Sequence, residues 1–123
     1  MYHKRKGDPK KLMSARSSKA KGRRLQNWVR DKLHDLFFKR YSQFNLEIDD
    51  IKSQTMGMTG EDIVLSPAAR SVHSYSYECK NVEKLNVWKA YKQCIDNCNA
   101  PTDPVLIIKK NQQEPLVVIN WDL

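Results

Sequence analysis

The chain has 123 residues, of which 40% are hydrophobic and 29% are charged, and it carries a formal net charge of +8 at pH 7. This length allows one compact domain and excludes a second catalytic module, while the composition excludes a disordered chain. No apolar run approaches the roughly 20 residues that span a bilayer, and no apolar stretch behind the basic start makes a signal peptide. We therefore expect a soluble, cytoplasmic protein without a membrane partner.

The positive charge is concentrated at the start of the chain. Residues 1–24 contain ten Lys or Arg and one acid, whereas the remaining 99 residues contain twelve Lys or Arg and thirteen Asp or Glu. Such a basic segment favours polyanions, because each neutralised phosphate releases condensed counterions; a solubilising tail is the alternative. Gly, Asp-Pro and many like charges predict a flexible basic arm over residues 1–16, followed by a folded domain over residues 17–123.

A first helix is predicted from a cap at Ser17 or Ser18 to about residue 40. Apolar residues recur there at helical spacing, namely Leu25, Trp28, Val29, Leu33, Leu36, Phe37 and Tyr41. The opening turns are basic, so we expect them to meet a phosphate backbone. The candidate DNA contacts in these turns are Lys19, Lys21, Arg23 and Arg24.

The rest of the chain is predicted to form three strands, a helix and two strands. Their ranges are 46–53, 62–66, 72–80, 84–98, 105–108 and 116–119. The segment 54–61, with two glycines, is predicted as a loop, and 67–71 as a turn between strands. This order predicts an α/β fold in which helices flank a mixed sheet.

Cysteine, histidine and tryptophan give weaker signals. The odd number of cysteines predicts reduced thiols, and no zinc site is expected because the chain has no CxxC pair and its histidines lack ligand spacing. The tryptophans lie on predicted apolar faces, so we expect core positions rather than stacking platforms for bases. They are Trp28, Trp88 and Trp121.

The predicted strand 72–80 places a carboxylate and an ammonium on one face. Side chains two apart share a strand face, so Glu78 and Lys80 stand together, opposite the face of Tyr77 and Cys79. If 62–66 and 72–80 form an antiparallel hairpin, Asp62 lies opposite or diagonal to Glu78. Two carboxylates at that range repel each other unless a cation joins them.

This arrangement predicts a site for a hard divalent cation with oxygen ligands. Asp62, Glu78 and the backbone carbonyl of Cys79 are the candidate ligands, and Mg²⁺ is the ion that combines a few carboxylates with water and phosphate. The cation would activate water, and Lys80 would stabilise charge on an attacked phosphate, so the pattern favours phosphodiester hydrolysis. The alternative is a surface hairpin with ordinary ion pairs, since D-x15-E-x-K by itself is a common pattern.

The stretch from Met58 to Trp88 resembles the core of the PD-(D/E)xK nucleases. It is similar in particular to small phage-type proteins of the archaeal Holliday junction resolvase kind, over roughly residues 19–121. The segments that carry the resemblance are Gly60-Glu61-Asp62-Ile63, Glu78-Cys79-Lys80-Asn81, Val82-Glu83-Lys84-Leu85-Asn86 and, as the opening K-G-x-x-x-E helix, Lys21-Gly22-Arg23-Arg24-Leu25-Gln26.

The resemblance implies a restriction-endonuclease-like αββαβ fold with an additional C-terminal strand. It implies that Asp62 and Glu78 bind Mg²⁺, which Mn²⁺ can replace, and that Lys80 assists catalysis. Gln26 stands where the family has an acid on the first helix, so it takes that catalytic position without a charge. Arg70, at the tip of the predicted hairpin, is a further candidate DNA contact.

The resemblance also implies a partner and a substrate. Resolvases of this kind are homodimers that cut opposed strands of a four-way DNA junction. Two alternatives stay open: another PD-(D/E)xK nuclease of nicking, restriction-like or repair type, and a non-catalytic basic DNA-binding protein.

Overall fold

The computed structural model describes residues 9–40, 42–58, 60–99 and 101–123, with side chains from Arg16 onward. The described residues form three α-helices, five strands and two short 3-10 turns at Ser42–Phe44 and Ile48–Asp50. In chain order the main elements are α1 (Pro9–Arg40), β1 (Ile51–Ser53), β2 (Ile63–Leu65), α2 (Pro67–Val72), β3 (Tyr75–Asn81), α3 (Val87–Asp96), β4 (Asp103–Lys109) and β5 (Leu116–Val118).

The strands form one small ribbon and one mixed sheet. β1 and β2 pair antiparallel, with Ile51 opposite Leu65. In the larger sheet, of order β3-β4-β5, β3 and β4 run parallel and β4 and β5 antiparallel. The parallel pair is joined through α3, as a parallel connection requires. The predicted α/β fold with a mixed sheet flanked by helices is confirmed.

The two helices cover opposite faces of the β3-β4 pair. Odd-numbered residues of these strands, among them Tyr77 and Ile107, pack into a core with the buried stripe of α1. The even-numbered Leu106, which is fully buried, packs against Ala90 and Cys94 of α3. The stripe on α1 repeats every fourth residue, at Leu25, Val29, Leu33 and Phe37.

Helix α1 begins earlier than predicted. It starts at Pro9, so Ser17 and Ser18 are helical residues rather than caps. Proline is favoured in a first turn, and the Lys, Leu, Met, Ala and Arg residues that follow are good helix formers, which explains the longer helix. Residues 1–8 of the predicted arm lie outside the described residues.

The predicted hairpin between 62–66 and 72–80 is wrong in its connection and its partner. The predicted turn at 67–71 is helix α2, which Ser66 caps by accepting a hydrogen bond from the Ala69 N–H at 3.1 Å. A serine followed by proline is a strong start signal for a helix. Strand β2 consequently pairs with β1, and β3 begins at Tyr75 rather than residue 72.

The tryptophan prediction is also wrong. Trp28 is 42% exposed, Trp88 85% and Trp121 97%. Trp28 flanks the buried stripe of α1, and Trp88 lies two residues before the buried Ala90, which is roughly 200° around the helix. No described helix has the length and apolar character needed to cross a bilayer.

Candidate active site

Strand β3 presents Glu78 and Lys80 on the face that α3 covers. Glu78 is aligned with Leu106 of β4, so the two side chains share the face that packs against Cys94. Both faces of β3 are covered here, since Ser76 and Glu78 are only 2% and 4% exposed. Glu78 is therefore a buried acid rather than a surface residue.

Asp62 lies beside Glu78 although no hairpin joins their strands. The Asp62 N–H donates to the Tyr77 carbonyl at 2.9 Å, and its Oδ2 accepts from the Cys79 N–H at 2.7 Å. Asp62 immediately precedes β2, and Gly60 before it has φ +98°, a left-handed conformation that suits glycine. These contacts hold the carboxylate at the edge of β3 that faces away from β4.

The backbone of Cys79 faces the same edge. In an extended strand the N–H and C=O of one residue point to the same side, and those of the next residue to the other. Since the Cys79 N–H donates to Asp62, the Cys79 carbonyl is directed to the Asp62 side of β3 as well. The structure thus brings together Asp62, Glu78, Cys79 and Lys80.

Glu78 has one engaged oxygen and one free oxygen. Its Oε1 lies 3.5 Å from Lys80 Nζ. Its Oε2 is buried and accepts no hydrogen bond of normal geometry within the described part of the chain. A buried acceptor in this state is costly unless another group reaches it, and a cation is the natural partner for a carboxylate oxygen.

Burial sets the protonation of both acids. It raises the pKa of Asp62 above its ordinary value, while the Cys79 N–H and the Lys80 ammonium lower it by smaller amounts. Burial also raises the pKa of Glu78, and the nearby Asp62 carboxylate raises it further, against the lowering effects of Lys80 and the Asn97 amide. The pair therefore resists carrying two negative charges without a cation.

The residues present fit a divalent cation with few protein ligands. Two carboxylates, one of them with a free buried oxygen, and one outward carbonyl match the sparse oxygen set that Mg²⁺ takes from proteins. Within the described residues no cluster of three or more His, Cys, Asp or Glu side chains is present that could hold a metal. Burial raises the pKa of the Cys94 thiol to about 12, so this neighbour of Glu78 is not a thiolate ligand.

Gln26 supports the site from α1. It is 4% exposed, and its Nε2 donates to the carbonyls of Gln54 and Asp62, at 3.0 and 2.8 Å. The amide therefore fixes the backbone on which Asp62 stands. The predicted place of Gln26 next to the catalytic carboxylates agrees with this geometry, and its contact is to backbone oxygen.

The candidate DNA contacts divide into exposed and engaged residues. Lys19, Arg23 and Arg24 are exposed on α1. Lys21 is largely covered and pairs with Glu83 at 3.1 Å. Arg70 lies in α2 rather than at a hairpin tip, and it forms an ion pair with Glu61, the residue before Asp62.

Sequence reasoning missed two contributors to this site. Glu61 and Arg70 lock the segment that leads into Asp62, and Asn97, at the C-terminus of α3, places its amide near Glu78. Neither residue has a local sequence signal for these contacts. Both depend on how α2 and α3 dock on the sheet.

Comparison with known proteins agrees with the geometry. Residues 17–122 match the family model described as "Phage putative PDDEXK endonuclease". No curated protein and no solved structure matches the chain. The matched span includes Asp62, Glu78 and Lys80 and covers more than half of the sequence, so the chain belongs to this family of phage-type PD-(D/E)xK endonucleases.

Proposed function

We propose that this chain is a divalent-metal-dependent DNA endonuclease whose catalytic residues are Asp62, Glu78 and Lys80. The observation that carries the proposal is the buried Asp62–Glu78 pair beside Lys80, in which Glu78 Oε2 lacks a hydrogen-bond partner within the described residues. Two carboxylates whose pKa values are raised by burial and by each other are typical of a functional site rather than of a surface ion pair.

Asp62, Glu78 and the Cys79 carbonyl would hold the cation, with Mg²⁺ as the physiological ion and Mn²⁺ as a substitute. When bound, a divalent cation polarises the phosphate and makes water a stronger nucleophile. The Cys79 N–H orients the Asp62 carboxylate through the 2.7 Å hydrogen bond. Lys80, which is 28% exposed at its side chain, is near enough to the surface to offset charge that develops on a bound phosphodiester.

The exposed basic residues of α1 would supply affinity for the DNA backbone. Lys19 and Arg23 are exposed, and the predicted basic arm at residues 1–16 extends the same charge. Replacing both by alanine should lower the slope of log K against log salt by about 1.8, at roughly 0.9 per phosphate contact on duplex DNA. Alanine at Lys39 and Arg40, exposed at the other end of α1, is the matched control and should leave the slope unchanged.

The preferred substrate under this proposal is a four-way DNA junction cut by a homodimer. Paired nicks on a junction require two catalytic centres held at a fixed distance, and one chain carries one centre. An apolar surface on the C-terminal edge offers the interface. Its exposed members on and after the edge strand β5 are Leu116, Val117, Ile119, Trp121 and Leu123.

This C-terminal surface is concave as well as apolar. A cavity of about 320 Å³ lies between Val117, Ile119 and Leu123 on one side and Tyr77 and Ile107 on the other. Exposed apolar patches of this kind mark interaction sites, and a second copy of the chain would cover both the cavity and the open edge of β5.

Light scattering should give twice the chain mass of 14.4 kDa for the free protein. Val117→Asp, which places a charge in the C-terminal surface, should halve the mass. Phe38→Asp changes an equally exposed apolar residue on α1 and should leave it unchanged. A wild-type protein that stays monomeric on a four-way junction would favour the nicking alternative.

Cleavage of matched substrates tests the proposed function most directly. A synthetic four-way junction, a duplex, a flap and a single strand of the same sequence are incubated with EDTA, Mg²⁺ or Mn²⁺. We expect cleavage only with a divalent ion, and preferential, symmetric cleavage of the junction. Equal cleavage of duplex would favour a restriction-like enzyme, and no cleavage of any substrate would favour the non-catalytic DNA-binding protein.

A further inference from the structure

A second cavity lies on the opposite side of β3 from the catalytic carboxylates. Its volume is about 320 Å³, at the lower end of the range for ligand pockets. Its lining includes Arg24 and Trp28 of α1, Asn81 at the end of β3, and Lys109 and Glu114 beyond it. The catalytic mechanism uses none of these side chains.

Asn81 gives this cavity an unsatisfied polar group. The residue is 8% exposed, and its Nδ2 donates to the Lys21 carbonyl at 3.0 Å. This bond fixes the orientation of the amide, and the opposite end, Oδ1, is buried and accepts no hydrogen bond within the described structure. A ligand with an N–H donor would satisfy this acceptor, and the edges of all four DNA bases carry such donors.

Trp28 gives the same cavity an aromatic wall. The side chain is 42% exposed although the neighbouring Leu25 and Val29 are buried, and Lys32 Nζ lies 5.4 Å from the centroid of its ring. Exposed tryptophan beside cations is the usual platform for unstacked bases, because the base stacks on the ring and the phosphate meets the positive charge.

The charges of the cavity favour a phosphate group. Arg24 is exposed at its edge, and Lys109 is held there because its Nζ donates to the carbonyls of Lys110 and Gln113. Lys32 adds a third cation beside Trp28. Glu114 is the acid among the lining residues, so the positive groups predominate over it.

We propose that this cavity, the Trp28–Asn81 pocket, binds one unpaired nucleotide of the DNA substrate. The base stacks on Trp28 and donates to Asn81 Oδ1, and its phosphate lies against Arg24 and Lys109. A paired base is stacked and cannot enter, so the pocket selects DNA with an unpaired or extruded nucleotide. The proposal rests on the proposed function, because it assigns part of the substrate of the same enzyme.

The pocket is close to the catalytic centre along the strand. Asn81 directly follows Lys80 in β3, a step of about 3.3 Å, but points to the other face. Glu78 is three residues away, about 10 Å at the same rise. A nucleotide in the pocket therefore lies within one or two nucleotides of the phosphate that the carboxylates would attack, which gives a means to place the cut beside a branch or a bulge.

The test measures binding without cleavage, in EDTA, to a labelled duplex with one unpaired nucleotide and to the same duplex fully paired. Trp28→Ala should weaken binding to the first by roughly 5- to 150-fold and to the second by less than about twofold. Asn81→Asp, which keeps shape but replaces the amide donor to Lys21 and adds charge, should weaken the first more than the second. Trp88→Ala, on an equally accessible side chain of α3, is the control and should change neither affinity.

A second measurement keeps the test independent of folding in the Trp28 variant. Phe at Trp88 and Trp121 leaves Trp28 as the sole tryptophan, and both replaced residues are exposed. DNA with an unpaired nucleotide should quench its fluorescence, and paired duplex should not. Equal quenching by both DNAs, or equal loss of both affinities, overturns the pocket. Normal binding with no metal-dependent cleavage contradicts the proposed function alone, and absence of DNA binding contradicts both.

Discussion

The two faces of β3 differ in what their burial achieves. On the face toward α1, Tyr77 and Cys79 join the apolar core, so burial stabilises the fold. On the face toward α3, Glu78 is as well buried as Tyr77, yet burial there raises its pKa and works against its charge. One strand thus contributes both a stabilising surface and a destabilised pair of acids.

This difference separates the site from an ordinary charged hairpin. A surface pair would keep normal pKa values and contribute little to stability. The Asp62–Glu78 pair is held by backbone hydrogen bonds in a covered position, which costs stability in the absence of a cation. The comparison teaches that alternation along β3 selects the residues, and that α3 and the Asp62 segment turn them into a site.

Removal of either acid should break the polar face most severely. Asp62→Ala and Glu78→Ala should each lower the cleavage rate by about 10³-fold or more, since a bound cation supplies several kcal/mol of transition-state stabilisation and about 1.36 kcal/mol equals a factor of ten. DNA affinity should persist through the basic surface. Asp35→Ala, an exposed acid on α1, is the control; full activity of either site variant in Mg²⁺ would contradict the assignment.

Replacement of Lys80 should have a smaller effect on the same face. Lys80→Ala should lower the rate by about 10²- to 10³-fold, the usual effect of losing one positioned group that stabilises developing charge. Lys80→Arg should restore part of the rate because the positive charge remains. Lys52→Ala changes an exposed lysine on β1 and should leave the rate intact. A Lys80→Ala enzyme with wild-type single-turnover rates would show that the lysine only pairs with Glu78.

Much of this architecture follows from the sequence, because side-chain periodicity is local. The predicted strands at 105–108 and 116–119 correspond to β4 and β5, and the second predicted helix corresponds to α3. The alternation that sets Glu78 and Lys80 apart from Tyr77 and Cys79 is confirmed for the same reason. Asp62 does reach Glu78, but through the segment before β2 and its bond to Cys79, not through a hairpin.

The remaining features depend on tertiary packing that periodicity does not encode. Hydrophobic spacing identified the apolar face of α1 but not its width, so Trp28 was assigned to the core although it lies at the margin. Trp88 likewise extends a helical apolar pattern on the side of α3 away from the sheet. The free Oδ1 of Asn81 depends on a bond to Lys21, sixty residues away, which no local pattern signals.

The smallest expected effect is on stability as a function of pH, and it concerns both faces at once. Asp62 and Glu78 have ordinary pKa values of 3.8 and 4.5, and burial raises both in the folded protein. Above those values the folded state therefore binds more protons than the unfolded state, so the free energy of unfolding falls as pH rises. The loss is complete once pH exceeds the raised pKa values, and it persists at neutral pH in metal-free protein.

Glu78→Gln removes one of these titrations and retains the shape of the side chain. Urea unfolding in EDTA should show the variant gaining stability relative to wild type as pH rises from about 4, whereas Asp35→Asn should show a constant difference. At neutral pH, Mg²⁺ at about 100 times its Kd should stabilise wild type by about 2.7 kcal/mol and the variant by less, because one ligand has lost its charge. A difference between Glu78→Gln and wild type that does not vary with pH would mean that Glu78 titrates normally, and the polar face would then differ from the apolar face only in composition.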